Sequence, residues 1–291
     1  MTWLILSILT AFFESLKDVF SKKSLKTLDS SLVACVTMSI AALVLLPSLL
    51  ITGVPTLGPD FWTAIFVGGT LNVVAYSLYV KAIQISDLSL ITPLSALTPL
   101  FLLVTSPLIV QEVPTIWDGV GVFLVVMGSY VLNLRSDSAD YFAPLKAMVM
   151  NKGSRMMIMV AFIWSITSTF DKIGVKNSSP IFWAIVLFGY IALGILPMLL
   201  FGNRATQRVS LLDIRKHWKL LLVAGIANGI AVGSQMIAVG IAPVTQVIAV
   251  KRLSSLFSVG FGVWIFGEKG WRERLLGAVI MVTGVMVMAI G

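Results

Sequence analysis

Continuous apolar runs, each long enough for a bilayer-crossing helix, occupy most of this sequence. Ten of them lie at 2–21, 31–51, 61–80, 88–110, 115–134, 156–174, 180–201, 218–239, 244–266 and 272–290. About 20 mostly apolar residues cross a hydrocarbon core of about 30 Å as a helix, and only helices or closed barrels satisfy every backbone polar group there. The runs lack the period-two alternation of membrane strands. With 58% apolar and 12% charged residues and a mean hydropathy of +0.98 over 291 residues, a soluble domain could not cover this surface. The expectation is an all-α integral membrane protein of ten transmembrane helices. The first run lacks a basic leader and a cleavage site and is followed by Lys22, Lys23 and Lys26, so it reads as an uncleaved first helix.

The halves of the chain repeat one another. At an offset of 150, Phe12, Ser15, Phe20 and Lys22 recur as Phe162, Ser165, Phe170 and Lys172, and Leu46-Pro47-x-Leu49-Leu50 recurs as Leu196-Pro197-x-Leu199-Leu200. At an offset of 156, Trp62, Asn72, Phe101, Glu112, Gly121 and Gly128 recur as Trp218, Asn228, Phe257, Glu268, Gly277 and Gly284. Matched Asn, Glu and Pro at steady spacing are hard to obtain by chance. The expected division is a five-helix repeat over 1–134, a linker over 135–155 and a second five-helix repeat over 156–291. Tyr141-Phe142 and Met148-Val149-Met150 mark the linker as a short interfacial helix. An odd number of spans per half means that the second repeat enters the membrane from the opposite side, a common transporter plan with the ligand between the halves.

Charge agrees with inversion. Sixteen of the 21 Lys and Arg residues fall in the loops after odd-numbered spans, whereas the even-numbered ones leave only Lys172 and Lys176. The positive-inside rule then puts both termini outside a cell (inner) membrane. The net charge of +8 is thereby a topology signal, and no nucleic-acid partner is expected. Cys35, alone in its type, reads as a small core residue, and His217 beside Trp218 as interfacial.

Glu-x8-Gly-x6-Gly opening the last helix of each half, together with Trp164-Ser165 and the five-plus-five repeat, resembles the EamA-type branch of the drug/metabolite transporter superfamily over essentially the whole chain. The resemblance implies ten helices around a central cavity, alternating access and small organic substrates such as amino acids, drugs or metabolites. It also implies termini on one side, commonly the cytoplasmic one, against the orientation that loop charge favours. Lys251-Arg252 is similar to the Lys-Arg pair in the ninth helix of plastid phosphate translocators of the same superfamily, which binds a substrate's phosphate. The following Phe266-Gly267-x-Lys269 is similar too, at a different spacing.

Polar groups inside apolar spans are the candidate site. A charge near mid-span costs about 2.5–3.5 kcal/mol on the insertion scale. Lys251 and Arg252 either grip an anionic substrate group, Arg by its fork and Lys as a point charge, or form a structural pair neutralised by Glu14 and Asp18. Ser7, Thr10, Glu14, Lys17 and Ser21 share one helix face, with Asp18 beside it. Glu14, with Asp18, is the candidate coupling group for protons. Asn72, Tyr76 and Tyr79 on span three, Asn228 and Gln235 on span eight, and Trp164 read either as substrate-binding or as interhelical contacts. Asp171 and Lys172 sit near a helix end and read as interfacial. Pro93 and Pro99 are candidate hinges in span four, interrupted also by Pro107. Gly225, Gly229 and Gly233 read as packing, and Glu112 and Glu268 as helix caps.

No HExxH, metal-ligand spacing or phosphate-cradling loop occurs, so neither a metal, a cofactor nor enzymatic activity is expected. The expected function is a secondary transporter of a small anionic or zwitterionic metabolite, such as an amino acid or an organic or phosphorylated acid. The alternatives are an intramembrane enzyme acting on a lipid-linked head group, or a cationic drug exporter. Partners are the substrate, the lipid bilayer and protons, with the chain a monomer or a homodimer.

Overall fold

The structure is a computed structural model describing residues 1–86, 94–132, 151–201, 211–266 and 271–290. Pro93, the expected linker helix, Glu268 and Lys269 lie outside the described residues. Within them the chain is helical, with no strand. The main helices of the described residues are α1 (Thr2–Ser24), α2 (Ser30–Leu45), α3 (Thr70–Ile85), α4 (Leu97–Ile109), α5 (Ile116–Leu132), α6 (Lys152–Lys176), α7 (Pro180–Phe201), α8 (Leu211–Ile241), α9 (Val244–Lys251), α10 (Ser254–Phe266) and α11 (Trp271–Ile290). Short helical segments at Leu46–Ser48 and Leu49–Thr52 extend α2, and those at Phe61–Thr63 and Ala64–Gly69 lead into α3.

Local chemistry sets several ends. Asp29 caps α2 by accepting from Ser31 N–H at 2.8 Å, and Asn151 caps α6 by accepting from Gly153 N–H at 2.8 Å. Thr115 N–H donates to Asp118 at 2.8 Å and the Thr115 hydroxyl accepts from Asp118 N–H at 3.2 Å, closing a reciprocal cap on α5. Glu112 therefore does not cap its own helix. Its Oε2 instead accepts from Val244 N–H at 3.0 Å, the first residue of α9.

Among the described residues, five segments are long and apolar enough to cross a membrane: Ser30–Thr52, Phe61–Ile85, Lys152–Lys176, Pro180–Leu200 and Arg215–Ile241. Three shorter apolar helices accompany them, Leu97–Ile109, Ile116–Leu132 and Leu275–Ile290. α1 carries five charged side chains, and it turns Glu14 and Lys17 inward beside the equally buried Ser7, Thr10 and Ser21. The exterior is the apolar part. Ile5, Leu43, Leu50, Phe66, Val104, Leu108, Leu193 and Leu276 are all exposed, the reverse of a soluble domain and suited to lipid.

Three apolar clusters hold the bundle. The largest joins α2, α3, α6, α7 and α8 around Trp183, Phe61 and Phe188. A second joins α1, α5, α9 and α11, and a third packs Leu102, Val239, Val244 and Ile248 against Trp3 and Leu6. Gly225, Gly229 and Gly233 bring α8 against Ile40, Ala41 and Leu45 of the second helical segment, the packing role expected of them. The matched glycines of the two halves meet each other. A Cβ on Gly121 would lie 2.6 Å from the Gly284 carbonyl, and one on Gly128 2.7 Å from the Gly277 carbonyl.

The expected ninth span is not one continuous helix. α9 ends at Lys251, and Arg252-Leu253 form a tight turn before α10. Bonds from Arg252 N–H to the Ala249 carbonyl (3.1 Å) and from Leu253 N–H to the Val250 carbonyl (3.0 Å) tighten the backbone there. The same turn occurs before α4, at Ala96, 156 residues earlier.

Candidate functional site

Glu14, Lys17, Asn72, Tyr76, Trp164, Asn228, Gln235, Lys251 and Arg252 line one cavity of about 80 Å³ in the middle of the bundle. α1 delivers Glu14 and Lys17 because their three-residue spacing puts them on its buried face. α3 delivers Asn72 and Tyr76 one turn apart, and α8 delivers Asn228 and Gln235 two turns apart. The last residue of α9 delivers Lys251, and the tight turn that follows delivers Arg252.

Electrostatics dominate the site. Lys17 Nζ lies 2.7 Å from Glu14 Oε1 and 3.2 Å from Asp18 Oδ1. Lys251 Nζ lies 3.6 Å from Glu14 Oε2, an ion pair longer than a hydrogen bond, and donates to Gln235 Oε1 at 2.9 Å. Glu14 is 5% exposed and Lys17 2%, so neither charge is carried by bulk water. Each needs the others, since an unpaired buried charge is strongly unfavourable.

Arg252 differs. It is 5% exposed, and among the described residues no carboxylate comes within ion-pair distance of it. Its guanidinium sits 5.8 Å from the Trp164 ring centre, and its Nε has no hydrogen-bond partner. Asn72 Nδ2 is likewise unpartnered, whereas Asn228 Nδ2 reaches only the Met38 sulfur at 3.6 Å. The repeat-matched asparagines thus both reach the cavity with amide donors to spare.

Tyr79 and Asp18 stand behind the wall. Tyr79 donates a short hydrogen bond to Asp18. Its ring lies 4.9 Å from Trp164 and 4.9 Å from Lys17 Nζ. Both residues support Lys17 and Trp164 without lining the cavity. Pro99 is buried in the first turn of α4, just beyond Ala96, and Thr98 Oγ1 donates to the Ser95 carbonyl at 2.8 Å across that turn.

Two residues depart from the interfacial role expected of them. Asp171 and Lys172 are 6% and 5% exposed, because α6 continues to Lys176 and carries both into the bundle. Asp171 lines the cavity beside Thr167 and Ser168, and its Oδ1 accepts from Trp183 Nε1 at 3.0 Å. Helical spacing from Trp164 would have found all three polar residues, since 164, 167, 168 and 171 follow steps of three and four.

Lys172 faces elsewhere. Its Nζ lies 2.6 Å from Glu112 Oε1 and donates to the Ala242 carbonyl at 2.6 Å. Lys22, its counterpart at the offset of 150, donates to the Ser86 carbonyl at 2.7 Å, and Ser86 is the counterpart of Ala242 at the offset of 156. Among the described residues no group of three or more His, Cys, Asp and Glu side chains forms a candidate metal site.

A buried, charge-lined cavity between two related halves can hold a small polar solute and exclude lipid. A crystal structure described only as that of a protein aligns with 100% of this chain and 98% of its own, with a TM-score of 0.75 at 16% identity, and shows the fold alone. No curated protein matches the sequence. The EamA-like transporter family matches residues 1–134 and again 151–290. With both halves matched, the chain belongs to the EamA-like transporter family and is a multi-pass membrane protein.

Proposed function

We propose that this protein is a secondary transporter that moves a small anionic or zwitterionic metabolite by alternating access, with Arg252 and Lys251 gripping the anionic group. Members of the family are transporters of small molecules. The observation that carries the substrate class is Arg252, a buried guanidinium on the cavity wall with an unpartnered Nε and, among the described residues, no carboxylate within ion-pair distance. A planar fork of donors held in this way suits a carboxylate or phosphate.

Lys251 shares its charge with Glu14 and Gln235, so Glu14 neutralises the site when no ligand is bound. Asn72, Asn228, Gln235 and Tyr76 orient the rest of the solute, and Trp164 stacks against it. Arg252, a cation on the wall outside these ion pairs, disfavours a cationic drug.

The same reading takes the chain as ten spans in two inverted halves, 1–134 and 156–291, joined by 135–155. Ala96 and Arg252, in turns of equal geometry, are its joints, with Pro93 and Pro99 flanking the first. Loop charge places both termini outside the cell membrane.

The test is a thermal-stability screen of the purified protein against phosphorylated metabolites, amino acids and cationic drugs, followed by counterflow in proteoliposomes. Stabilisation by an acid or zwitterion, with counterflow lost in Arg252→Gln and Lys251→Gln, supports the reading. Stabilisation by cationic drugs alone, or unchanged counterflow in both variants, refutes it.

A further inference from the structure

Three carboxylates surround the cavity, and two of them are tied to ammonium groups. Glu14 contacts Lys17 and Lys251, and Asp18 contacts Lys17. Asp171 is different: among the described residues no Lys or Arg lies within ion-pair distance of it.

What holds Asp171 is a neutral donor. Trp183 is fully buried, and its indole N–H points at Asp171 Oδ1 from 3.0 Å. Gly174, one turn further along α6, makes room for the ring, since a Cβ there would meet it at 2.3 Å. Phe61 braces the ring edge-on, with centroids 5.7 Å apart. At the offset of 150 the first half has Val33 in place of Trp183 and Ser21 in place of Asp171. This device therefore belongs to the second half alone and is not a by-product of the duplicated fold.

The ionisable groups sharing the cavity with Asp171 are Glu14 and Lys17 from α1, Tyr76 from α3, and Lys251 and Arg252 at the end of α9. α7 adds only apolar side chains to the wall, and α8 adds neutral amides besides apolar ones. Lys172, next in sequence, turns away to Glu112.

We propose that Asp171, rather than the ion-paired Glu14, is the carboxyl that takes up and releases the coupling proton. This rests on the transport reading above. A proton from cavity water adds to a carboxylate oxygen, giving the neutral acid, and returns to water when the cavity faces the other side. An ionised carboxylate buried without a cation is costly, and a proton relieves that cost. The indole N–H donates to the carboxyl in both forms, so the side chain holds its place through the cycle. Protonating Glu14 would instead strip Lys251 of its counter-charge and leave Lys17 with Asp18 alone.

Infrared difference spectra of the lipid-reconstituted protein, taken between mildly acidic and mildly alkaline buffers without added solute, test this assignment. The wild type gains a protonated-carboxyl stretch on acidification; Asp171→Asn loses it and Glu14→Gln keeps it. Trp183→Phe keeps the band but moves it to higher frequency, because the indole donor is gone. Absence of the band from the wild type, its survival in Asp171→Asn, or its loss in Glu14→Gln overturns the proposal. With no solute present, that result is independent of the ligand screen, so failure of either leaves the other readable.

Discussion

Ala96 and Arg252 occupy the same backbone turn in the two halves, at φ −68°, ψ −10° and φ −67°, ψ −12° respectively. Neither turn needs a proline or glycine at its centre. A hydroxyl spans each one, Thr98 Oγ1 donating to the Ser95 carbonyl and Ser255 Oγ to the Arg252 carbonyl, both at 2.8 Å. Interruptions at corresponding places in repeated halves are where transporters bind and move. Here one of the two carries an arginine.

Arg252 can be separated into charge and shape. Arg252→Lys keeps the charge but loses the fork and the face opposite Trp164, so affinity for the stabilising solute falls about tenfold, or about 1.4 kcal/mol. Because no carboxylate is orphaned, the melting temperature of Arg252→Gln stays at the wild-type value or rises. Ligand titration by thermal shift reads both effects.

Lys17 behaves in the opposite way. Removing it leaves the buried Glu14 and the half-buried Asp18 without their shared cation, and Lys17→Met loses about 3–5 kcal/mol of stability. Adding Glu14→Gln to it recovers part of the loss, with a coupling of about 0.5–3 kcal/mol. Denaturant unfolding of the four proteins in detergent closes the cycle; additive losses would show that the 2.7 Å contact carries no energy.

The crossing of α5 and α11 depends on missing side chains. A Cβ on Gly277 would lie 2.3 Å from Leu132 N, where only backbone could move. Gly277→Val therefore lowers thermal stability by at least about 1–3 kcal/mol. Gly119→Ala, with nothing within 4 Å, leaves it unchanged. Melting curves of the two variants side by side check the contrast.

Glu112 and Lys172 tie α6 to the start of α9. Glu112→Gln breaks the ion pair while sparing the shape, and it loosens that end of the bundle by about 1 kcal/mol, since Glu112 is partly solvated. Thr245 is buried there. A cysteine at 245, in a Cys35→Ser background, then reacts about fivefold faster with a polar thiol reagent. An equal rate with and without Glu112 would show that the pair is not a latch.

The membrane character, the internal repeat and most of the polar side chains on the cavity wall were legible in the sequence, for one physical reason. Polar residues in an apolar span have few places to go, and Glu14, Asn72, Asn228, Gln235, Lys251 and Arg252 all go to the same one. Neighbours across helices were not legible. Asp171 looked interfacial because the apolar run around it ends early, and its bond to Trp183 depends on the space at Gly174. The turn at Arg252 escaped because it has no breaker residue. Glu112 looked like the cap of the helix it precedes, yet Thr115 and Asp118 already perform that task, which frees it to reach Val244.

The ionisable groups around the cavity number three cations, Lys17, Lys251 and Arg252, and three carboxylates, Glu14, Asp18 and Asp171. Fully ionised, they sum to zero. Moving one elementary charge across a membrane takes about 2.3 kcal/mol per 100 mV, so an empty carrier with a balanced centre reorients without feeling the membrane voltage. A proton on Asp171 leaves one positive charge, and one negative charge on the solute restores the balance. On the proposed coupling, the protein loaded with both is again indifferent to voltage, and the pH difference and the solute gradient together set the direction of flow.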